Sequence, residues 1–434
     1  MKMGIVGAAF GLLVGLSLVG CSSDSVESEE SEQAFSSNRA TLLDFELDGE
    51  LETNSAFSPE REIKQQLLYS VGALNEQNSV GRLDALQLTN VTKRALPSGK
   101  TLVSYHAVLP VGWGAKYGFP KSYTFRLPRD VSSAGQSAFL ARYGAKCIDT
   151  WSAHDVSVGN YWYYYRTNAR GCAFAPEDVL TTTAKVTVSA NNTDGKYPEY
   201  DKVWADGVLR AIVIFGKDRP GATTISDFGV SAYGRFNAMA RNFGMGTALQ
   251  PAEQGLPGAP GADRPEVNWS GVLSDGRRVE MTVMLVDNPR DQNTKFDRRY
   301  AELSGAADLI VYNGHAALGD NVRALTRKGS FVRGQYTIVS MMGCDSFAYV
   351  DGYMAAERAR LNPDDPSGTK YIDMITNVTP ANPTWLPTAA AELMKALIDT
   401  KRPQTYVQIM RNWEPQHRAV VTGDEDNTFT PATP

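Results

Sequence analysis

The stretch 308-DLIVYNGHA-316 starts at a charged residue, runs through four apolar residues and ends in Asn-Gly-His-Ala. A second stretch, 336-YTIVSMMGCDSFAY-349, has the same form, and its apolar run ends in Gly-Cys-Asp. Short apolar runs of this kind, bounded by turn residues, are typical of strands that are buried on both faces. Both stretches are therefore predicted to be strands of a parallel sheet.

Further strands and helices alternate around these two stretches. Strands are predicted at 208–215, 279–286 and 371–376, and helices at 294–303, 388–401 and 404–413. This alternation predicts an α/β domain over residues 202–420, with a mainly parallel sheet and helices on both faces. In such sheets the ligand site lies at the carboxyl ends of the strands.

The first half of the chain has a different pattern and is predicted to be a separate α+β domain over residues 41–195. Ser58-Pro59 predicts a helix start, and turn residues 97–100 predict a hairpin between flanking strands. The aromatic run 161–165 predicts a strand packed on both sides. A sugar-stacking face is the alternative interpretation of that run.

The four cysteines of the chain divide into three uses. Cys147 and Cys172 are 25 residues apart, a loop whose closure by a disulfide contributes about 3 kcal/mol in the chain-entropy model. Two buried free thiols are the alternative for this pair. Cys344 has no evident partner, which leaves it available for chemistry.

His315 and Cys344 each follow an apolar strand. If the two strands are parallel neighbours, both residues emerge at the same edge of the sheet. A thiolate is an effective nucleophile, and a nearby imidazole can lower the pKa of a thiol and later protonate a leaving amine. Loop N–H groups at that edge can stabilise an oxyanion. The competing interpretation is a buried cysteine and a structural histidine.

The two motifs resemble those of the caspase-like cysteine peptidases, the clan of caspases, legumains, clostripain and gingipains. The resemblance covers about residues 205–415, and 28 residues separate His315 from Cys344. It implies that His315 is the general acid and base, that Cys344 is the nucleophile, and that the backbone N–H groups of Ala316 and Cys344 form the oxyanion hole. It also implies a polypeptide substrate. The chain departs from the usual pattern by Ala316 in place of glycine and by Gly343 in place of alanine.

Other residues near the two motifs are weaker candidates. Asp287 follows the strand 279–286 and is expected to orient His315, to shape a pocket or simply to cap a turn. Asp345 is expected to anchor the turn after the nucleophile, and Asn313 and Ser346 to support the loops. His417 is expected to be incidental. No metal-ligand spacing, dinucleotide loop or P-loop is present in the sequence, so no cofactor is expected.

The N-terminus predicts a lipid anchor. Lys2 precedes an uncharged apolar run, and 18-LVGC-21 resembles a bacterial lipobox with Cys21 as the lipidated residue. Residues 1–21 are therefore expected to be a lipoprotein signal with its lipidated cysteine. Ser22 after the cysteine resembles sorting to the outer membrane. An uncleaved anchor helix and a plain secretory signal are the alternatives.

The charge of the chain is uneven. The formal net charge is −5, and residues 22–38 contain five acidic residues and two large apolar ones. Residues 22–40 are expected to be a disordered tether, and residues 421–434 a flexible tail. The rest of the chain is close to neutral and offers no field for nucleic acid. The sequence thus predicts an envelope-anchored cysteine endopeptidase, or alternatively a non-catalytic surface interaction lipoprotein that retains the scaffold.

Overall fold

The computed structural model describes residues 40–55, 57–114, 118–149, 159–192, 195–243, 249–349 and 352–431. Within these ranges the chain has mixed α/β structure with two sheets. The predicted signal, Cys21 and the acidic tether up to residue 39 lie outside the described residues. Within the described part of the chain, no helix is both long enough and apolar enough to cross a membrane.

The first sheet is antiparallel and curls into a half-barrel around a long helix. The elements are β1 (Thr41–Thr53), α1 (Pro59–Asn75), β2 (Ser79–Gly81), β3 (Gln87–Ala95), β4 (Thr101–Trp113), β5 (Ser122–Pro128), α2 (Ser133–Cys147) and β6 (Val179–Val188). The strand order is β2-β4-β1-β6-β5, and β3 also pairs with β4. The predicted helix start is confirmed, because α1 begins at Pro59 and buries Ile63 and Leu67 on its inner side.

The aromatic run differs from the prediction. Residues Tyr161–Tyr164 form a 3₁₀ helix, not a strand. The rings of Tyr161 and Tyr165 pack edge-on against Tyr69 of α1 at centroid distances of 5.4 and 5.3 Å. Rings with several neighbours in a core are satisfied by packing and need no strand pairing, so tertiary contacts decided this segment. Four of its five aromatic side chains are buried, and this excludes the sugar-stacking interpretation.

The disulfide between Cys147 and Cys172 is confirmed, with the two sulfurs 2.07 Å apart. It joins the end of α2 to the region after the 3₁₀ helix. Near it, Ile148 and Tyr165 form an isolated β-bridge, and the amide of Arg166 donates to the carbonyl of Cys147 at 2.8 Å. The disulfide therefore fixes the base of the loop that presents the aromatic run.

The second sheet has eight strands among the described residues: β7 (Val208–Gly216), β8 (Gln250–Pro251), β9 (Glu266–Val272), β10 (Arg278–Val286), β11 (Leu309–Asn313), β12 (Thr337–Met342), β13 (Ile372–Asn377) and β14 (Ala419–Thr422). Their order is β14-β13-β12-β11-β7-β10-β9-β8. The five strands from β13 to β10 run parallel to one another, while β14, β9 and β8, towards the two edges of the sheet, pair antiparallel with their neighbours.

Helices cover both faces of this sheet, as the sequence predicted. One face packs against α3 (Tyr200–Val203), α4 (Phe228–Ala240), α8 (Leu386–Ile398) and α9 (Tyr406–Met410). The other face packs against α5 (Thr294–Ser304), α6 (Asp320–Lys328) and α7 (Tyr353–Leu361). The two parallel β-strands quoted first, β11 and β12, therefore lie at the centre of the layered domain.

The end of the chain is part of the fold up to residue 431. Val421 is buried in β14, Asp424 is buried just beyond it, and the ring of Phe429 lies 5.6 Å from that of Tyr200. An edge strand and an aromatic residue therefore pack residues 421–429 against the rest of the protein, and the expected flexibility of the tail stays a prediction. Residues 432–434 lie outside the described residues.

Candidate active site

The strand register brings His315 and Cys344 to corresponding positions. Strands β11 and β12 are parallel, with Asn313 opposite Met342. The pairing continues one step further, because the amide of Gly314 donates to the carbonyl of Met342 at 3.4 Å. His315 and Cys344 each lie two residues beyond the Asn313–Met342 pair. The two candidate catalytic residues therefore leave neighbouring strands at the same edge of the sheet.

The backbones that follow the two strands touch at Ala316 and Gly343. A Cβ atom built on Gly343 would lie 3.0 Å from both the Cβ and the amide nitrogen of Ala316. Ala316 follows His315 and Gly343 precedes Cys344. The Ala316 methyl group therefore lies against a backbone position that carries no side chain. The Ala316 amide also lies beside Gly343, the residue that precedes Cys344.

Both turns contain residues in the left-handed backbone region. Ala317 and Leu318 have φ values of 51° and 49°, and Asp345 has a φ of 48°. Non-glycine residues adopt this region rarely, and such residues are concentrated at functional sites. The His315 carbonyl is fixed by the hydroxyl of Tyr312 at 2.9 Å and the side-chain amide of Asn321 at 2.7 Å. These two hydrogen bonds fix the backbone of the loop that carries His315.

The His315 ring faces a carboxylate that the sequence analysis did not select. Its Nε2 atom lies 3.2 Å from the backbone carbonyl oxygen of Asp218, which follows β7, and 3.3 Å from Oδ1 of the same residue; 43% of the His315 side chain is exposed. Asp287 instead pairs with Lys217 at 2.8 Å and accepts a hydrogen bond from the amide of Gly221 at 3.0 Å. That ion pair helps keep the pKa of Asp287 below its ordinary value, against the effect of burial. Asp287 therefore braces the loop that contains Asp218.

Asp218 has the same position relative to a predicted strand that made Asp287 a candidate. Both carboxylates come just after a predicted buried strand, and β7 and β10 are parallel neighbours. A search for every acidic residue after such a strand finds both. Only the strand order shows which is nearer the histidine, because β7 lies next to β11 whereas β10 is one strand further away.

Cys344 has some exposed surface, but the protein around its thiol desolvates the sulfur. Its Sγ lies 3.9 Å from the carbonyl oxygen of Ala381. Burial, with a smaller contribution from the charge of Asp345, raises the pKa of this thiol to about 11. At neutral pH the sulfur is therefore protonated in this conformation.

Asp345 is completely buried and is contacted by a residue from the half-barrel half of the chain. The hydroxyl of Tyr163 donates to Oδ2 of Asp345 at 2.5 Å, and the Asp345 amide donates to the Thr379 carbonyl at 3.2 Å. Burial raises the pKa of Asp345 to about 6, while the Tyr163 hydroxyl and the charge of Arg166 oppose the rise. Asp345 was expected to anchor the turn after Cys344. Its carboxylate is in turn held by Tyr163, a residue from the first half of the chain.

Asn313 and Ser346 lie where loop support was expected. Ser346 donates to the Met341 carbonyl at 2.5 Å and accepts from the Asn377 amide at 2.9 Å, so it ties the turn after β12 to β13. Asn313 is buried, and within the described part of the chain neither atom of its amide has a hydrogen-bond partner. Its contribution to the site is not explained by the contacts of its side chain.

His417 is a buried structural residue that joins the same end of the sheet. Its Nε2 atom lies 2.8 Å from Oδ1 of Asn377, at the carboxyl end of β13, and its ring stacks on Trp413 at 4.7 Å. Burial lowers the pKa of His417 to about 4, so the ring is neutral at physiological pH. His417 anchors the segment that leads into β14, and its incidental place in the chemistry of the site stays a prediction.

The half-barrel packs directly on this edge of the second sheet. Ala316, Phe347, Tyr349 and Val378, which follow β11, β12 and β13, belong to the same hydrophobic cluster as the core of the half-barrel. The Val378 side chain packs against the backbone of β4, because a Cβ on Gly112 would lie 2.2 Å from a methyl carbon of Val378. The site is therefore built at the junction of both halves of the chain.

Comparisons of the chain with protein families, with curated proteins and with solved structures returned no match.

Proposed function

We propose that this protein is an envelope-anchored lipoprotein whose C-terminal domain is a caspase-like cysteine endopeptidase with Cys344 and His315 as its catalytic dyad. The observation that carries the proposal is the register of β11 and β12, which gives the two residues corresponding positions on adjacent parallel strands. The order of the motifs along the chain and the left-handed turns that follow both residues support it.

The proposed reaction is hydrolysis of a peptide bond. Cys344 Sγ attacks the scissile carbonyl carbon and its proton passes to His315. The amides of Ala316 and Cys344 hold the negative oxygen of the tetrahedral intermediate. His315 then protonates the leaving amine, and a thioester remains on Cys344. Water, deprotonated by His315, hydrolyses the thioester and restores the free thiol.

The surroundings of the dyad assign further roles in this scheme. Asp218 faces Nε2 of His315, so we assign proton transfer to Nδ1 and ring orientation to Asp218. The pKa of about 11 for the Cys344 thiol argues against a preformed thiolate–imidazolium pair. We therefore propose that the thiol loses its proton to His315 during attack, as a general-base step.

The lipoprotein part of the proposal rests on the sequence. The lipobox at Cys21 and the acidic segment after it are typical of a protein that is tethered to a membrane by acyl chains. We propose the bacterial cell envelope as its compartment, with the outer membrane favoured by Ser22. The Cys147–Cys172 disulfide is consistent with an oxidising compartment.

A non-catalytic surface interaction lipoprotein is the second candidate. The observation that favours it is the desolvated Cys344 thiol, since a raised thiol pKa is typical of structural cysteines. The two candidates differ in whether His315 controls the reactivity of Cys344.

Labelling with a thiol-reactive peptide probe tests the proposal. The full chain is incubated in detergent with peptidyl acyloxymethyl ketones of varied sequence, and modification is read by mass spectrometry. We expect at least one probe to modify Cys344, and His315→Ala to reduce the labelling rate by roughly 10²-fold, as is usual for loss of a general base. Cys344→Ala supplies the blank.

His106→Ala is the matched control. His106 lies on β4 and its Nδ1 atom is 2.8 Å from Oδ1 of Asp48, away from the candidate site. Its loss should leave labelling unchanged. Equal labelling of Cys344 in the wild type and the His315→Ala variant would reject the dyad and favour the interaction lipoprotein.

A further inference from the structure

Cys344 is followed by a residue whose side chain is held by the other domain. Asp345 has a φ of 48°, and its carboxylate has no exposed surface. Oδ2 accepts the hydrogen bond from Tyr163 at 2.5 Å, while Oδ1 has no hydrogen-bond partner within the described part of the chain. A buried carboxylate in a strained turn persists only if its surroundings support it. Here the support comes from the half-barrel.

The second contribution from the half-barrel is electrostatic. Arg166 is the cation whose charge opposes the rise in the pKa of Asp345. Its guanidinium is itself fixed, because Nη1 donates to the carbonyls of Gly72, Tyr163 and Tyr165 at 3.0, 2.9 and 3.1 Å. Tyr163 by its hydrogen bond and Arg166 by its charge thus act on Asp345 from one stretch of chain, which lies within the loop that the Cys147–Cys172 disulfide closes.

The segment is held in place by contacts with core residues. The Tyr161 hydroxyl donates to the Gln136 carbonyl at 3.0 Å, and the Tyr165 hydroxyl donates to the Arg126 carbonyl at 2.8 Å. Both acceptors belong to the half-barrel domain. Of these hydroxyls only that of Tyr163 crosses to the second domain, so its position follows from the fold of the first.

We infer that the first domain is a permanent part of the Cys344 site and that Tyr163 is a positioning residue, which sets the turn after Cys344 through Asp345. The inference rests on the proposed function for its catalytic meaning. It decides between the roles open to the first domain, since a removable pro-segment would leave Asp345 without its donor and would expose the apolar side chains of Phe347, Tyr349 and Val378.

The test compares Tyr163→Phe with Tyr161→Phe in the full chain. Each variant loses one hydroxyl from the same segment, but only Tyr163→Phe removes the donor of Asp345. We expect the titration midpoint of the Asp345 carboxyl, followed by carboxyl-carbon NMR, to rise by about one unit in Tyr163→Phe and to stay unchanged in Tyr161→Phe. Peptide-probe labelling of Cys344 should fall roughly tenfold in Tyr163→Phe alone.

Cleavage between the domains adds a second measurement. A protease site inserted after Asn191 and cut in the purified protein should give two fragments that stay associated through gel filtration. Separation into a folded C-terminal fragment that still reacts with the probe would overturn the inference, as would an unchanged Asp345 midpoint in Tyr163→Phe. A shifted midpoint in a protein that no probe labels would retain the positioning role and reject the peptidase.

Discussion

The Cβ of Ala316 occupies the space into which a Cβ on Gly343 would point, with 3.0 Å between the two positions. The residue after the candidate catalytic histidine and the residue before the candidate nucleophile are thus a packed pair. A methyl group on Gly343 would crowd both the methyl group and the backbone of Ala316. This contact joins the turn after β11 to the turn after β12.

The Ala316–Gly343 contact predicts a coupled effect on stability. Gly343→Ala should cost roughly 1–3 kcal/mol of unfolding free energy, because the added methyl overpacks a dense core. Adding Ala316→Gly should recover part of that cost, since the Ala316 amide nitrogen remains at 3.0 Å. Denaturant unfolding of both single variants and the double variant measures the coupling. Strictly additive values would contradict the contact.

Asp218 is predicted to matter more than Asp287. Asp218→Asn should slow probe labelling of Cys344 by roughly tenfold, because it removes the negative charge that lies beside Nε2 of His315 and helps to orient the ring. Asp287→Asn is the matched control, since this carboxylate pairs with Lys217 rather than with the histidine. We expect Asp287→Asn to slow the labelling of Cys344 by less than half the factor expected for Asp218→Asn. The reverse order of effects would refute the assignment of Asp218.

His417 is predicted to make the protein sensitive to acid. Its pKa in the folded protein is about 4, below the ordinary value of 6.5. Folding therefore favours the neutral ring, and this stabilisation is fully present above pH 6.5 and is lost as the pH falls towards 4. The loss amounts to about 3 kcal/mol at pH 4.

Urea unfolding of the wild type and His417→Gln between pH 7 and pH 4 measures this loss. The unfolding free energy of the wild type minus that of His417→Gln should fall by about 3 kcal/mol between pH 7 and pH 4. A difference that does not vary with pH would show that the ring is not kept neutral by burial.

Loss of the disulfide should destabilise the first domain. Replacing Cys147 and Cys172 by serine removes a crosslink across 25 residues and should lower the unfolding free energy by about 3 kcal/mol. Adding a reducing agent to the wild type should give the same decrease, read by thermal unfolding. The double variant itself is the control, because reduction should not lower its stability further.

Lipid attachment at Cys21 is predicted to determine membrane association. Cys21→Ser should retain residues 1–20 and abolish the acyl modification, as measured by intact mass. Membrane fractionation of the producing cells then compares this variant with Cys344→Ser. Only the Cys21 variant should lose the lipid. Acylation of the Cys21→Ser protein would rule out the lipobox interpretation.

The sequence was sufficient for the features that depend on local pattern. Apolar runs such as 309–312 and 337–342 predicted the parallel strands, and the helices on both sides of the sheet followed from the alternation. The pairing of Cys147 with Cys172 followed from cysteine number and compartment. These predictions succeeded because strand burial and chain connectivity are encoded over a few neighbouring residues.

Strand order and domain contact were decided only by the tertiary structure. Strand β7 lies beside β11, so Asp218 rather than Asp287 faces His315. The run 161–165 forms a 3₁₀ helix because its rings pack around Tyr69, and that arrangement carries the Tyr163 hydroxyl to Asp345. Contacts between residues 182 positions apart depend on how whole layers pack. No local pattern around Cys344 contains that information.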